Sequence, residues 1–127
     1  MTEYTDTPSL PQWLQQAGDA QRLLASRELA SGHVFFPPIP ASSPLSSRYE
    51  TIALSGQAVL YSYTIIHPNK KANKPPFALV YADFPEQVRV FGSYHAPEGE
   101  RPVIGQALSV VYSVDALGHQ QYSFKPA

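Results

Sequence analysis

The sequence predicts a mainly β protein whose second half closes into a small five-stranded barrel. Three observations carry this. From Ala58 onward, apolar and polar residues alternate with period two, in short runs separated by turn signals. Between Gly32 and Ser47, prolines fall at positions 37, 38, 40 and 44. Each removes an N–H donor and pushes its predecessor towards extended backbone, so no long helix or central strand fits there. Finally, Glu28, Ser31, Ser43 and Ser46 keep the spacing C-x2-C-x11-C-x2-C, that of a zinc ribbon, in a chain without any cysteine.

In chain order, residues 1–9 show no periodicity and are expected to fray. Pro11 suits the first turn of a helix, and Trp13, Leu14, Ala17 and Ala20 recur at helical spacing. A short amphipathic helix is therefore predicted from Pro11 to Gln16 or beyond, with Gly18 ending or weakening it. Its apolar face either packs on its own domain or docks on another chain, with Trp13 as anchor. The proline-rich stretch that follows is the ribbon frame. A zinc ribbon delivers four thiolates from two tight knuckles to one ion, whereas a serine hydroxyl stays protonated near neutral pH and ligates zinc poorly. The segment is read as a degenerate, metal-free ribbon. Phe35, Phe36 and Ile39 packing on the barrel would hold it, together with serine hydroxyls bonded to local backbone.

Five strands are predicted in the remainder. Ala58–His67 and Phe77–Phe84 are dense in β-branched and aromatic residues, Val88–Tyr94 and Leu108–Val114 alternate, and Tyr122–Phe124 makes a short last strand. Pro85-Glu86 and Leu117-Gly118 are the expected hairpin turns, and Gly92 suits a bulge or sharp bend. Five short strands in about 70 residues match a small closed barrel of the OB size class. The predicted organisation is an arm with a short helix over residues 1–21, a degenerate ribbon over 22–50 and the barrel over 51–127.

Several runs carry a resemblance. Arg22-Leu23-Leu24-Ala25-Ser26-Arg27, Gly32-His33-Val34-Phe35-Phe36-Pro37-Pro38 and Ser43-Pro44 come first. Ser55-Gly56-Gln57-Ala58-Val59-Leu60-Tyr61-Ser62-Tyr63-Thr64 and Ile104-Gly105-Gln106-Ala107-Leu108-Ser109-Val110-Val111-Tyr112 follow, then the ending Tyr122-Ser123-Phe124-Lys125-Pro126. In this order and spacing, from Trp13 to the C-terminus, the chain resembles the bacterial and archaeal family catalogued as domain of unknown function 35. Its members join a rubredoxin-like zinc ribbon to a C-terminal OB fold. The resemblance implies a short strand over Leu23–Arg27, where periodicity alone would let the helix run on. This chain departs from the family at all four ligand positions, Glu28, Ser31, Ser43 and Ser46.

Bulk composition narrows the chemistry. Formal net charge is −1, so no global field recruits nucleic acid or an acidic membrane. Charged residues make up 15% of the chain, below the roughly 25% usual for soluble domains, which suits either a partner-covered surface or a tyrosine-rich barrel. Disulfides are excluded, no apolar run is long enough to span a bilayer, and the polar, acidic N-terminus is unlike a signal peptide, so a cytoplasmic location is expected. No Gly-x-Ser-x-Gly, Walker or Gly-x-Gly-x-x-Gly motif occurs. The histidines at 33, 67, 95 and 119 are scattered, and a pairing of His95 with Asp83 in space is conceivable without being required by spacing. No catalytic residue and no bound cofactor or metal is expected.

The one charge cluster, Asn69-Lys70-Lys71-Ala72-Asn73-Lys74, joins the first two barrel strands. It reads either as a solvated hairpin tip or as a contact for a phosphate-bearing ligand, with Lys70, Lys71, Lys74, Tyr63 and His67 as the candidate ligand-binding residues. One such ligand is coenzyme A in its thioesters; the other is single-stranded nucleic acid stacked on Tyr61, Tyr63, Tyr81, Phe91 or Tyr94, which the overall charge disfavours. The resemblance implies a non-catalytic accessory subunit that docks on a thiolase-like or enoyl-CoA hydratase-like enzyme and helps form its acyl-CoA entrance. Trp13, Phe35 and Phe36 are the candidate docking residues. The alternative is an independent OB-fold module for single-stranded nucleic acid or oligosaccharide, which would show solvent-facing aromatics beside a continuous basic groove.

Overall fold

The computed structural model describes residues 11–17, 20–69, 71, 73–97 and 100–127. Nine strands run through them: β1 (Leu14–Ala17), β2 (Ala20–Glu28), β3 (Val34–Phe35), β4 (Tyr49–Ala53), β5 (Gln57–Ile66), β6 (Phe77–Phe84), β7 (Val88–Tyr94), β8 (Ala107–Val114) and β9 (Gln120–Pro126). One 3-10 turn, Ser46–Arg48, precedes β4. The protein is mainly β, as predicted.

The last five strands close into a barrel in the order β5-β6-β7-β9-β8, with β5 returning to β8. This is the OB-fold arrangement. All pairings are antiparallel except β7 with β9, where Tyr94 lies beside Phe124. The alternation read from the sequence puts Ala78, Val80, Ala82 and Phe84 of β6 and Val88, Val90 and Tyr94 of β7 inside. Small and large side chains complement each other: the rings of Phe84, Tyr94 and Phe124 are accommodated by Ala58, Ala78 and Ala82.

Gly92 is no bulge. Its register against Val80 is regular, and a Cβ there would lie 2.8 Å from Phe124 Cε2 and 3.1 Å from Tyr122 Cε2. Glycine is required because two rings of β9 cross directly over that backbone. The bulge lies instead in β5 between Leu60 and Ser62, where the register slips by one residue. Both expected hairpins form. Gln87 takes a positive φ of 65° after Pro85-Glu86, and Gly118 takes 82° after Leu117.

The predicted N-terminal helix is a correction. Pro11 opens a turn, with the Leu14 N–H donating to the Pro11 carbonyl, and Leu14–Ala17 is a strand paired with β2 in the register Leu14↔Leu23 to Ala17↔Ala20. A single helical turn carries the full cost of nucleation, whereas a hairpin buries Leu14 against the core and gives its backbone a partner. The strand expected over Leu23–Arg27 is the centre of β2. It carries β1 and β3 on one edge and β4 on the other.

This first sheet has no separate core. Leu23, Ala25 and Leu54 belong to the same buried cluster as the barrel interior. Tyr122 of β9 is the hinge pin of the junction: Trp13 meets its ring edge-on at 5.1 Å and Phe36 at 5.8 Å, while its hydroxyl donates to the Phe91 carbonyl at 2.7 Å. Burial pushes the Tyr122 phenol above its ordinary value.

The four ribbon-frame positions sit in two tight turns. The Gly32 N–H donates to the Glu28 carbonyl at 2.7 Å, and the Ser46 N–H to the Ser43 carbonyl at 3.0 Å. The hydroxyls serve the backbone: Ser31 Oγ accepts from the His33 N–H, and Ser43 Oγ from the Leu45 N–H. Ser31 Oγ also donates to the Glu28 carboxylate, which lies 3.5 Å from the Tyr49 hydroxyl. The Leu29 N–H reaches the Arg48 carbonyl and joins the two turns. The buried Ser26 hydroxyl accepts the Ile39 N–H at 2.7 Å and ties the proline loop to β2.

Candidate functional site

Antiparallel pairing brings the functional candidates to one end of the barrel. Ile66 lies opposite Phe77 and Ala78 opposite Tyr94, so the 67–76 loop and the chain leaving β7 emerge side by side. Between them lies a cleft of about 480 Å³. Its apolar lining includes Ile65, Phe77, Ala78 and Tyr94, and its polar lining is His67, His95, Glu100 and Arg101. A smaller cleft of about 440 Å³ adjoins it and shares His67 and Pro76. Asn69, Asn73 and Lys74 line this second space.

The candidate ligand residues therefore separate. His67 and Lys74 line the same cleft. Lys71 is exposed in that loop, its backbone N–H donating to Asn69 Oδ1 at 3.3 Å. Lys70 lies outside the described residues. Tyr63 lines neither cleft; it sits mid-strand opposite Val80 and is partly exposed.

No sequence pattern marks Arg101 or Glu100 as members of this site, and Tyr94 is expected from the sequence only as a stacking aromatic. A lone arginine between an acidic residue and a proline carries no motif. Tyr94 is almost wholly buried, which removes it from the aromatics available for base stacking. Its hydroxyl accepts from Gln106 Nε2 at 3.5 Å.

A second surface faces outward from β5, β6 and β7. Tyr61, Tyr81, Phe91 and Val59 are each between 44% and 51% exposed there. The Tyr81 and Phe91 rings are 5.1 Å apart. Arg89 stacks 3.3 Å over Tyr61 and is clamped by Asp83 through two hydrogen bonds of 2.7 and 3.1 Å. The clamp raises the Arg89 pKa. The conceivable His95–Asp83 pair does not form, because Asp83 lies opposite Arg89, whereas His95 follows Tyr94, which pairs with Ala78 at the other end of β6. His95 instead approaches the Ser93 hydroxyl at 3.4 Å. The clamp spans the hairpin at paired positions Asp83↔Arg89, a signal that register reasoning over Pro85-Glu86 would have supplied.

The candidate docking residues are divided too. Trp13 and Phe36 are engaged with Tyr122, whereas Phe35 is 44% exposed and meets only the edge of Tyr49 at 6.1 Å among the aromatic contacts. Among the described residues, no group of three or more His, Cys, Asp or Glu side chains is placed to hold a metal ion. Among them too, no helix is long and apolar enough to cross a membrane.

Comparison with known proteins bears on the barrel. Residues 51–113 match the family model of the C-terminal OB-fold domain of ChsH2. The barrel is an OB fold, and its stretch from residue 51 to residue 113 is similar to that of ChsH2. Among solved structures, one described as an Ltp2–ChsH2 (DUF35) aldolase is similar over 83% of this chain and 84% of that one, with a TM-score of 0.65 and 21% identity. At that identity the likeness concerns the fold, and it extends beyond the barrel into the first sheet, since the matched share exceeds the barrel. A search of curated proteins found no match.

Proposed function

We propose that this chain is a non-catalytic accessory subunit that docks on a thiolase-like or enoyl-CoA hydratase-like enzyme and helps form its acyl-CoA entrance. The similarity of residues 51–113 to the C-terminal OB-fold domain of ChsH2 carries the reading. The solved relative pairs ChsH2 with a second component, Ltp2, in an assembly described as an aldolase, which supports a partner enzyme as the seat of chemistry. In this chain the lysine-bearing loop and His67 meet at the mouth of the barrel, and Lys71 and Lys74 there are exposed. Such a rim offers cations to the phosphates of coenzyme A, while the partner supplies the nucleophile or base. Segment 22–50 is, in this reading, a ribbon whose thiolates were replaced by Glu28, Ser31, Ser43 and Ser46, with turns now held by backbone and hydroxyl bonds.

The test is purification from the native host. A thiolase-like or hydratase-like subunit is expected to co-purify, and replacing Lys70, Lys71 and Lys74 with alanine is expected to raise the KM of that complex for acyl-CoA with the fold intact. Recovery of the chain without such a subunit sinks the reading; an unchanged KM returns the lysines to a solvated loop tip. Elemental analysis of the same sample is expected to find no stoichiometric zinc.

One observation favours the second reading, an independent module for single-stranded nucleic acid or oligosaccharide. Tyr61, Tyr81 and Phe91 face solvent on the strand face that OB folds use for such ligands. The cation on that face, Arg89, is committed to Asp83, so the aromatics stand without a basic groove. Binding of an oligonucleotide to the isolated chain with a steep salt dependence would favour it.

A further inference from the structure

The cleft between His67 and Arg101 has an apolar lining and an arginine that neither reading uses. The apolar part includes Ile65, Phe77, Ala78 and the buried ring of Tyr94. Arg101 is exposed and has no carboxylate partner among the described residues. His67 and His95 follow the strand ends, and Glu100 is the one acidic side chain among the described lining residues.

We propose that this cleft binds a small organic acid, with its carboxylate on Arg101 and its apolar body against Ile65, Phe77, Ala78 and Tyr94. A guanidinium presents a planar fork that matches a carboxylate, and the imidazoles of His67 and His95 provide further polar groups around it. The Glu100 charge opposes an anion in proportion to the anion's own charge, so the site is expected to favour a monoanion over a dianion. The volume of about 480 Å³ falls in the range of small-molecule sites and exceeds what a bare anion needs. The apolar lining contributes through burial of the alkyl chain, about 0.8 kcal/mol for each methylene removed from water. This proposal is independent of the acyl-CoA reading, because it concerns the isolated chain and does not involve the lysine triplet.

The probe is hexanoate, with hexan-1-ol as its uncharged counterpart, followed by amide chemical shifts of the isolated full-length chain. Hexanoate is expected to shift the amides of 65–67, 77–78, 94–96 and 100–102 together. Hexan-1-ol and succinate are each expected to bind at least about tenfold more weakly. Arg101→Ala is expected to weaken hexanoate at least about tenfold while leaving the rest of the spectrum unchanged, and Arg101→Lys to recover part of the loss. Ala96→Trp, which fills the cleft, is expected to abolish binding. Absence of hexanoate binding at about 10 mM overturns the site. So do equal binding of hexanol, indifference to Arg101→Ala, or shifts centred elsewhere. Failure of the co-purification experiment above leaves this test unaffected, and the reverse also holds.

Discussion

Single residues set the tightest constraints at Gly92 and Asp115. Gly92 has ordinary strand backbone, so its role is space: the rings of Phe124 and Tyr122 occupy the volume of any Cβ. Phe124 is fully buried and cannot move without disturbing Phe84 beside it. Gly92→Ala is therefore expected to destabilise the fold by about 1–3 kcal/mol through overpacking, read by urea denaturation. A neutral result would mean that β9 shifts freely. Asp115 acts through charge. The His119 backbone N–H first, then the Leu117 N–H and the His119 imidazole, hold its carboxyl below the usual range, against an opposing desolvation effect. A depressed folded-state value means stabilisation that is complete above the unfolded-state value near 3.9 and is lost as pH falls through the folded value. Asp115→Asn is expected to lower the melting temperature at pH 6, with the gap to the parent closing below about pH 4. A gap independent of pH would assign the effect to turn geometry alone.

At the level of elements, the junction between the first sheet and the barrel rests on Tyr122. Removing its ring in Tyr122→Ala takes the packing partner from both Trp13 and Phe36 and is expected to cost about 3 kcal/mol. Trp13 is the sole tryptophan, so its fluorescence reports the first sheet while far-UV dichroism reports the barrel. In the parent protein both should change at one urea concentration; in the variant the fluorescence change should come first. Coincident transitions in the variant would show that β1 and β2 are held by Leu14 and Leu23 alone. The same elements show what the sequence made legible. The barrel strands are readable because one buried face imposes period two: Ala78, Val80, Ala82 and Phe84 of β6 follow it, as do Val88, Val90 and Tyr94 of β7. β1 was misread because Trp13, Leu14, Ala17 and Ala20 satisfy a helical spacing while pairing with β2 decides the outcome. In the site, Lys74 and His67 were found by charge and position. Arg101 was not, since only the adjacency of two strand ends brings it there.

For the whole molecule, low charge shapes association. With 15% charged residues, a net charge of −1 and the Arg89–Asp83 clamp neutral on the exposed aromatic face, little long-range attraction is available to a partner. Its affinity for an enzyme subunit is expected to change less than about fivefold between 50 and 500 mM salt, by calorimetry on the purified pair. A drop of more than about a hundredfold would place the contact on the lysine loop instead. The shared buried cluster has a practical corollary for anyone dissecting this protein. Leu23 and Ala25 fill the interior from before the segment 51–113, and Phe124 fills it from after. A fragment trimmed to those limits would be a jar without base or stopper, with raw apolar walls open to water. Cloning strategies that excise the recognisable middle should yield aggregates, and the shortest soluble piece should begin near Pro11 and retain the final strand.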